Sequence, residues 1–190
     1  VMGQTVDFNF PRLTWQESMD LYGCDKPDLR FGMPIKDVTD LAGRCDFSVF
    51  RKAVDQGGKV RALNCKGCAE KFTRTVVENL TDHALTYGAK GMAWILIHED
   101  GEINSILQKY FTKAQWRELL DTLDAKPGDF ILFCADTFAV VCRTLCGLRL
   151  EVGDMLGLRD KQDFRFCFVT DFPQFEWSEE EGRYLAMHHP

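Results

Sequence analysis

Twice in this chain a helical pattern ends in turn residues and runs directly into an apolar stretch. In the first instance the pattern from Thr73 to Tyr87 puts Val76, Val77, Leu80, Ala84 and Tyr87 on one side. Gly88 then stops it, and Gly91 opens the apolar run Met92 to His98. In the second, Thr112 and Gln115 form a capping box, each side chain able to satisfy the other's free backbone N–H. Trp116, Leu119, Leu120 and Leu123 recur at helical spacing, Pro127-Gly128-Asp129 supplies turn chemistry, and Phe130 to Ala135 is a strand-length apolar run. An amphipathic helix must bury its apolar side and a strand must pair, so this succession of helix, turn and strand calls for a sheet with helices laid on it.

The rest of the chain fits around that demand. Phe138, Val141, Cys142, Leu145, Leu148, Val152 and Leu156 predict one long helix, with a bend expected near Gly147 or Gly153. Strands are expected at Lys59 to Asn64, after a Gly57-Gly58 turn, and at Phe47 to Phe50. Strands separated by helices would suit a parallel doubly wound fold, but no glycine-rich phosphate fingerprint follows any of them. The expected class is therefore α+β, a mainly antiparallel sheet with helices packed on one face.

Residues 1 to 13 read as a connector, followed by a helix from Thr14 to Tyr22 with a Thr14/Glu17 capping box and Gly23 as its stop. In the next stretch, Cys24 to Pro34, two prolines exclude continuous helix and the charges are densely packed, which predicts an ordered loop crossing a domain boundary. Near the C-terminal side, Phe164 to Thr170 and Arg183 to His188 are expected to form a hairpin around the acidic turn Glu179-Glu180-Glu181.

Apolar residues at 45% and charged residues at 27% of 190 describe a chain with a sizeable core. No run approaches the ~18 residues of a membrane span, residues 1 to 11 lack the marks of a signal peptide, and the scattered cysteines suit free thiols. A soluble, cytoplasmic protein is expected. The net charge of −6 argues against nucleic-acid binding by the whole surface, yet the stretch from Arg44 to Arg74 holds eight basic residues against three acidic ones. Within it Arg51, Lys52 and Arg61 are the candidates for an RNA-facing patch, the alternative being a solvated basic face.

Three further groups invite chemistry. Cys65-Lys66-Gly67-Cys68 has the spacing of a zinc or redox pair, but no second ligand pair accompanies it, so no metal is expected. The acidic turn is read as solvated. His188 and His189 are neighbours, so in a strand they point to opposite faces, one toward a site and the other toward the packing behind it.

Four segments in order, YGCDKPDLRFG (Tyr22 to Gly32), YGAKGMAW (Tyr87 to Trp94), TDFPQFE (Thr170 to Glu176) and GRYLAMHHP (Gly182 to Pro190), together resemble bacterial-type aspartyl-tRNA synthetase. Cys24 stands where that family usually has serine, and the CKGC segment is not a family feature. The resemblance implies that residues 36–160 are the family's GAD insertion domain, and that residues 1–35 and 161–190 are short flanks from its class II catalytic domain. It implies, for the full-length enzyme, attachment of aspartate to tRNA through an aspartyl-adenylate, using ATP and Mg2+, in a cytoplasmic homodimer. It places His188 at the L-aspartate pocket, with His189 behind it. Motifs 2 and 3 of the class are not found, so the resemblance also implies an excised piece with no catalytic residue of its own, inactive alone and needing no cofactor. The alternative is a noncatalytic tRNA-binding GAD module, as in a tRNA-dependent amidotransferase subunit. A third reading makes the insertion a brace for the catalytic domain.

Overall fold

The apolar run after Pro127-Gly128-Asp129 becomes the middle strand of a five-stranded sheet. The computed structural model describes residues 9–178 and 181–187. The chain forms β1 (Arg12–Thr14), α1 (Trp15–Tyr22), β2 (Lys36–Asp37), α2 (Thr39–Ala42), α3 (Ser48–Asp55) and β3 (Lys59–Cys65). There follow α4 (Arg74–Thr86), β4 (Ala93–Ile97), β5 (Ile103–Asn104), α5 (Lys113–Thr122), β6 (Phe130–Asp136) and α6 (Phe138–Met155). Three short strands, β7 (Phe168–Thr170), β8 (Phe175–Ser178) and β9 (Arg183–Ala186), come last.

Helix boundaries follow local chemistry. Thr14 caps α1 through a capping box, its amide donating to Glu17 Oε2 at 2.7 Å while the Glu17 amide donates to Thr14 Oγ1 at 3.1 Å. Gly23 ends that helix at φ 73°, a left-handed turn that suits glycine. Thr73 caps α4, and Thr112 with Gln115 closes the second capping box at the start of α5.

The sheet order is β2-β3-β6-β4-β5, and every pairing in it is antiparallel. β6 pairs with β3 from Cys65↔Phe130 to Lys59↔Asp136, and with β4 from Leu96↔Phe130 to Ala93↔Phe133. Successive side chains of a strand point to opposite faces, so Phe130, Leu132 and Cys134 enter one core while Ile131 and Phe133 enter another. The first core is closed by Val77, Leu80 and Ala84 of α4 and by Val141, Leu145, Leu148 and Val152 of α6. Within it the Phe130 ring stacks on Phe72 at 4.0 Å. The second core is closed by Leu41 of α2, Phe50 of α3, and Trp116 and Leu119 of α5.

The expected α+β class and mainly antiparallel sheet are thus what the chain forms, with one correction. Helices cover both faces rather than one, because Leu63 and Cys65 of β3 join Phe130, Leu132 and Cys134 of β6 on one face while Val60 and Ala62 join Ile131 and Phe133 on the other, and neither apolar set could be left wet. A second correction falls on Phe47 to Phe50, where α3 begins instead of a strand. Phe47, Phe50 and Val54 recur at i, i+3 and i+7, and the first two rings meet edge to face at 4.9 Å. α6 runs unbroken for 18 residues through both glycines. Gly147 answers a close approach, since a Cβ there would lie 2.4 Å from the Tyr87 ring.

The flanking strands differ from expectation as well. β7 pairs in parallel with β1, Arg12 opposite Phe168, and so takes up part of the expected connector. The hairpin partner of β9 is therefore β8, not the segment 164–170. Glu179 and Glu180 of the acidic turn lie outside the described residues, and the Glu181 amide donates to Ser178 Oγ at 3.1 Å. All eight cysteines are free thiols, and among the described residues no helix is long and apolar enough to cross a membrane.

Candidate functional site

The densest polar chemistry lies where the loop Cys24 to Pro34 meets α6 and the segment that leaves it. Asp28 accepts from Arg30 Nε at 2.9 Å on one oxygen and from Arg30 Nη2 at 2.6 Å on the other, a bidentate pair. Arg159 Nε reaches the same carboxylate at 3.0 Å, and its Nη1 donates to Asp154 Oδ2 at 2.5 Å. Arg30 Nη1 in turn donates to the Asp160 carbonyl at 2.9 Å. The hydrogen bonds from Arg30, joined by Arg159 and opposed by burial, hold the Asp28 carboxyl well below the usual carboxylate range. The loop after α1 and the segment that leaves α6 are therefore clasped by one anion between two guanidiniums.

Arg149 completes the junction from inside. It is 1% exposed, and Nη2 donates to the carbonyls of Asp28, Phe31 and Gly32 at 2.9, 2.9 and 2.7 Å. Its Nε donates to the Met33 carbonyl at 3.0 Å, and Met33 holds φ 68°, a strained value for a side-chain-bearing residue. The guanidinium lies over the rings of Phe31 at 4.0 Å and Tyr22 at 4.9 Å. Burial lowers its pKa, with Tyr22 and Asp28 acting in the opposite sense. Carbonyl dipoles and ring faces thus take the place of a paired carboxylate.

Arg61 departs from its expected role. It is 5% exposed, shares a face of β3 with Leu63 and Cys65, and donates to Asp20 Oδ1 at 2.6 Å and Asp37 Oδ2 at 3.2 Å beneath the Phe138 ring. A guanidinium so enclosed offers nothing to a phosphate, so Arg61 is corrected from surface patch to internal bridge between α1 and β2. Arg51 and Lys52 do lie exposed on α3, Arg51 within 3.4 Å of Asp46. Lys52 borders a cleft of about 580 Å³ with Phe47, Lys90 and Ile106. A second cleft of about 580 Å³ carries Lys36, Lys66 and Lys71 near Phe31 and Leu158, and Lys66 is ion-paired with Asp124.

The CKGC segment is structural. Cys65 Sγ lies 3.8 Å from Met33 Sδ, and Cys68 Sγ donates to the Cys65 carbonyl at 3.1 Å. Burial raises both thiols, leaving them protonated. Asp129 secures the turn, accepting from the amides of Gly67 and Lys126 at 2.9 and 3.0 Å and from Asn64 Nδ2 at 2.9 Å. Among the described residues no group of three or more His, Cys, Asp or Glu could hold a metal ion. His188 and His189 lie outside the described residues; up to them, β9 ends at Ala186 and the Met187 amide donates to the Gln174 carbonyl at 3.0 Å.

Asp28, Arg149 and Arg159 were not singled out as site residues from sequence. The signal for Arg149 was a basic residue set on the apolar stripe of α6, between Leu148 and Val152.

Residues 50–145 match the family model described as GAD domain. The chain belongs to the GAD domain family. Over its whole length it is also 47% identical to the aspartate–tRNA(Asp/Asn) ligases of Symbiobacterium thermophilum and Desulfatibacillum aliphaticivorans. It is 45% identical to the aspartate–tRNA ligase of Agathobacter rectalis. These alignments cover 100% of this chain and 32% of each relative, so the chain spans about a third of the length of the curated relatives it matches.

Proposed function

We propose that this chain is a working part of an aspartate–tRNA ligase, contributing the insertion domain and the strands beside it. The observation that carries the reading is the 47% identity running through the flanks as well as the family-matched region. The proposed division is residues 1–35 and 161–190 as catalytic-domain flanks and residues 36–160 as the insertion. The longer enzyme would join aspartate to tRNA with ATP and Mg2+, as a cytoplasmic homodimer, and the chain by itself would be inactive. No step is assigned to Mg2+ on the described residues, which hold no metal-binding cluster. His188 is proposed at the aspartate pocket, where an imidazole can donate to the substrate carboxylate, with His189 behind it.

The test is aspartate-dependent ATP–pyrophosphate exchange. The 190-residue chain should stay at background, and a longer product that contains it should exchange, with His188→Ala raising the KM for aspartate. Robust exchange by the chain alone would contradict its role as a part, and a longer product without exchange would contradict the ligase.

A second reading, a noncatalytic tRNA-binding module like that of an amidotransferase subunit, is favoured by the exposed pair Arg51 and Lys52. It predicts salt-sensitive tRNA binding without any exchange activity.

A further inference from the structure

The cleft that carries Lys36, Lys66 and Lys71 opens where a strand loses its partner. The pairing of β2 with β3 stops at Lys36 and Ala62. Two residues further the same register sets Pro34 opposite Asn64, and a proline has no N–H to give the ladder. The chain leaves the sheet there, its Ile35 amide donating to the Leu21 carbonyl at 2.8 Å. Pro34 and Asn64 both line the cleft, whose volume of about 580 Å³ suits a small organic molecule.

Asn64 brings an unused acceptor to it. The residue is 7% exposed, and its Nδ2 donates to the carbonyls of Leu123 and Asp124 at 3.1 and 3.4 Å and to Asp129 Oδ2 at 2.9 Å. Those three acceptors fix which end of the amide is nitrogen, so Oδ1 is the end turned away from them. It is buried and has no hydrogen-bond partner among the described residues. A buried acceptor left so is costly, and a ligand that donates to it removes the cost. Charge sets the other half of the preference. Lys36 and Lys71 are exposed and form no ion pair among the described residues, whereas Lys66 shares Asp124 with Lys126. Three ammonium groups and one carboxylate line the cleft, an excess of two positive charges on a chain whose net charge is −6. Phe31, Leu156 and Leu158 supply an apolar wall.

We propose that this cleft binds a phosphomonoester carried on an apolar body with a hydrogen-bond donor, the class of the nucleoside monophosphates. The phosphate, close to a dianion at neutral pH, matches the excess of two charges, where a carboxylate would leave one cation over. The body lies against Phe31 and Leu158, and its donor reaches Asn64 Oδ1. Lys66 is free to turn from Asp124 toward the phosphate, since Lys126 stays 3.5 Å from Asp124. Every group that holds the ligand belongs to the 190-residue chain, so the site stands whether or not the longer ligase does.

Calorimetric titration of the 190-residue chain with adenosine monophosphate tests it. Saturable binding is expected, weakened by added salt, with adenosine and inorganic phosphate each bound at least about tenfold less tightly. Lys36→Ala and Lys71→Ala, both at exposed positions, should each weaken adenosine monophosphate by about tenfold, and Leu158→Glu should do the same by setting a carboxylate in the apolar wall. Lys113→Ala with Lys161→Ala removes two exposed cations elsewhere and should leave the affinity unchanged. In NMR titrations the Asn64 side-chain amide signals should shift with the same midpoint. Absence of binding, an equal loss in the Lys113→Ala, Lys161→Ala control, inorganic phosphate bound as tightly as the nucleotide, or unmoved Asn64 signals would each overturn the proposal.

Discussion

Arg149 and Phe31 are 118 residues apart in sequence, and the guanidinium of one lies 4.0 Å over the ring of the other. Helix α6 therefore grips the loop that follows α1, through a ring face and four backbone carbonyls. The grip is internal, so its worth is measured in stability.

Arg149→Met should lower unfolding stability by about 3 kcal/mol, because it leaves buried carbonyls of Asp28, Phe31, Gly32 and Met33 without donors. Arg149→Lys should recover only part of this, since one ammonium cannot span that fork and stack at once. Urea midpoints of the three chains check it. A fully stable Arg149→Met would show that water replaces the guanidinium.

Acid should loosen the Asp28 clasp. The folded-state pKa of Asp28 lies below its ordinary 3.8, so its stabilisation is complete above that value and is lost as pH falls through it toward the depressed one. Asp28→Asn should be less stable at neutral pH and should lose less than the unmodified chain between about pH 5 and about pH 2. Denaturation midpoints followed across that range decide the matter, and parallel curves would remove Asp28 from the account.

Asp129 is 2% exposed and accepts from three donors, so Asp129→Ala should cost about 3 kcal/mol. The CKGC turn depends on it, and Cys68 should then be alkylated faster than in the unmodified chain. Unchanged protection of Cys68 would mean that the turn is held from elsewhere.

Charge reversal separates the basic residues. Arg51→Glu with Lys52→Glu should leave the circular dichroism spectrum intact and weaken tRNA binding, with a shallower dependence on salt. Arg61→Glu should unfold the chain, because it places a carboxylate beside Asp20 and Asp37 in a buried position. If the insertion only braces its host, the double reversal will leave tRNA binding where it was.

What could be read from sequence was what is local. The Thr14/Glu17 and Thr112/Gln115 caps lie within four residues, and β6 announces itself as a continuous apolar run. Phe47 to Phe50 misled because four residues are too few to separate the two periods. The parallel pairing of β1 with β7 is wholly nonlocal and left no mark in either segment. Charge type misled at Arg61, which packs by face rather than by polarity, and passed unnoticed at Arg149. The assignment of His188 to an aspartate pocket rests on the resemblance, whereas the clasp at Asp28 needed coordinates.

The β1–β7 ladder has one more consequence. Thr14 and Thr170 face each other across the two paired strands, so everything between them departs from and returns to one rung of this ladder. Such a stem works as a graft site: the intervening body can be lengthened, exchanged or trimmed over generations without redirecting the strands that carry it.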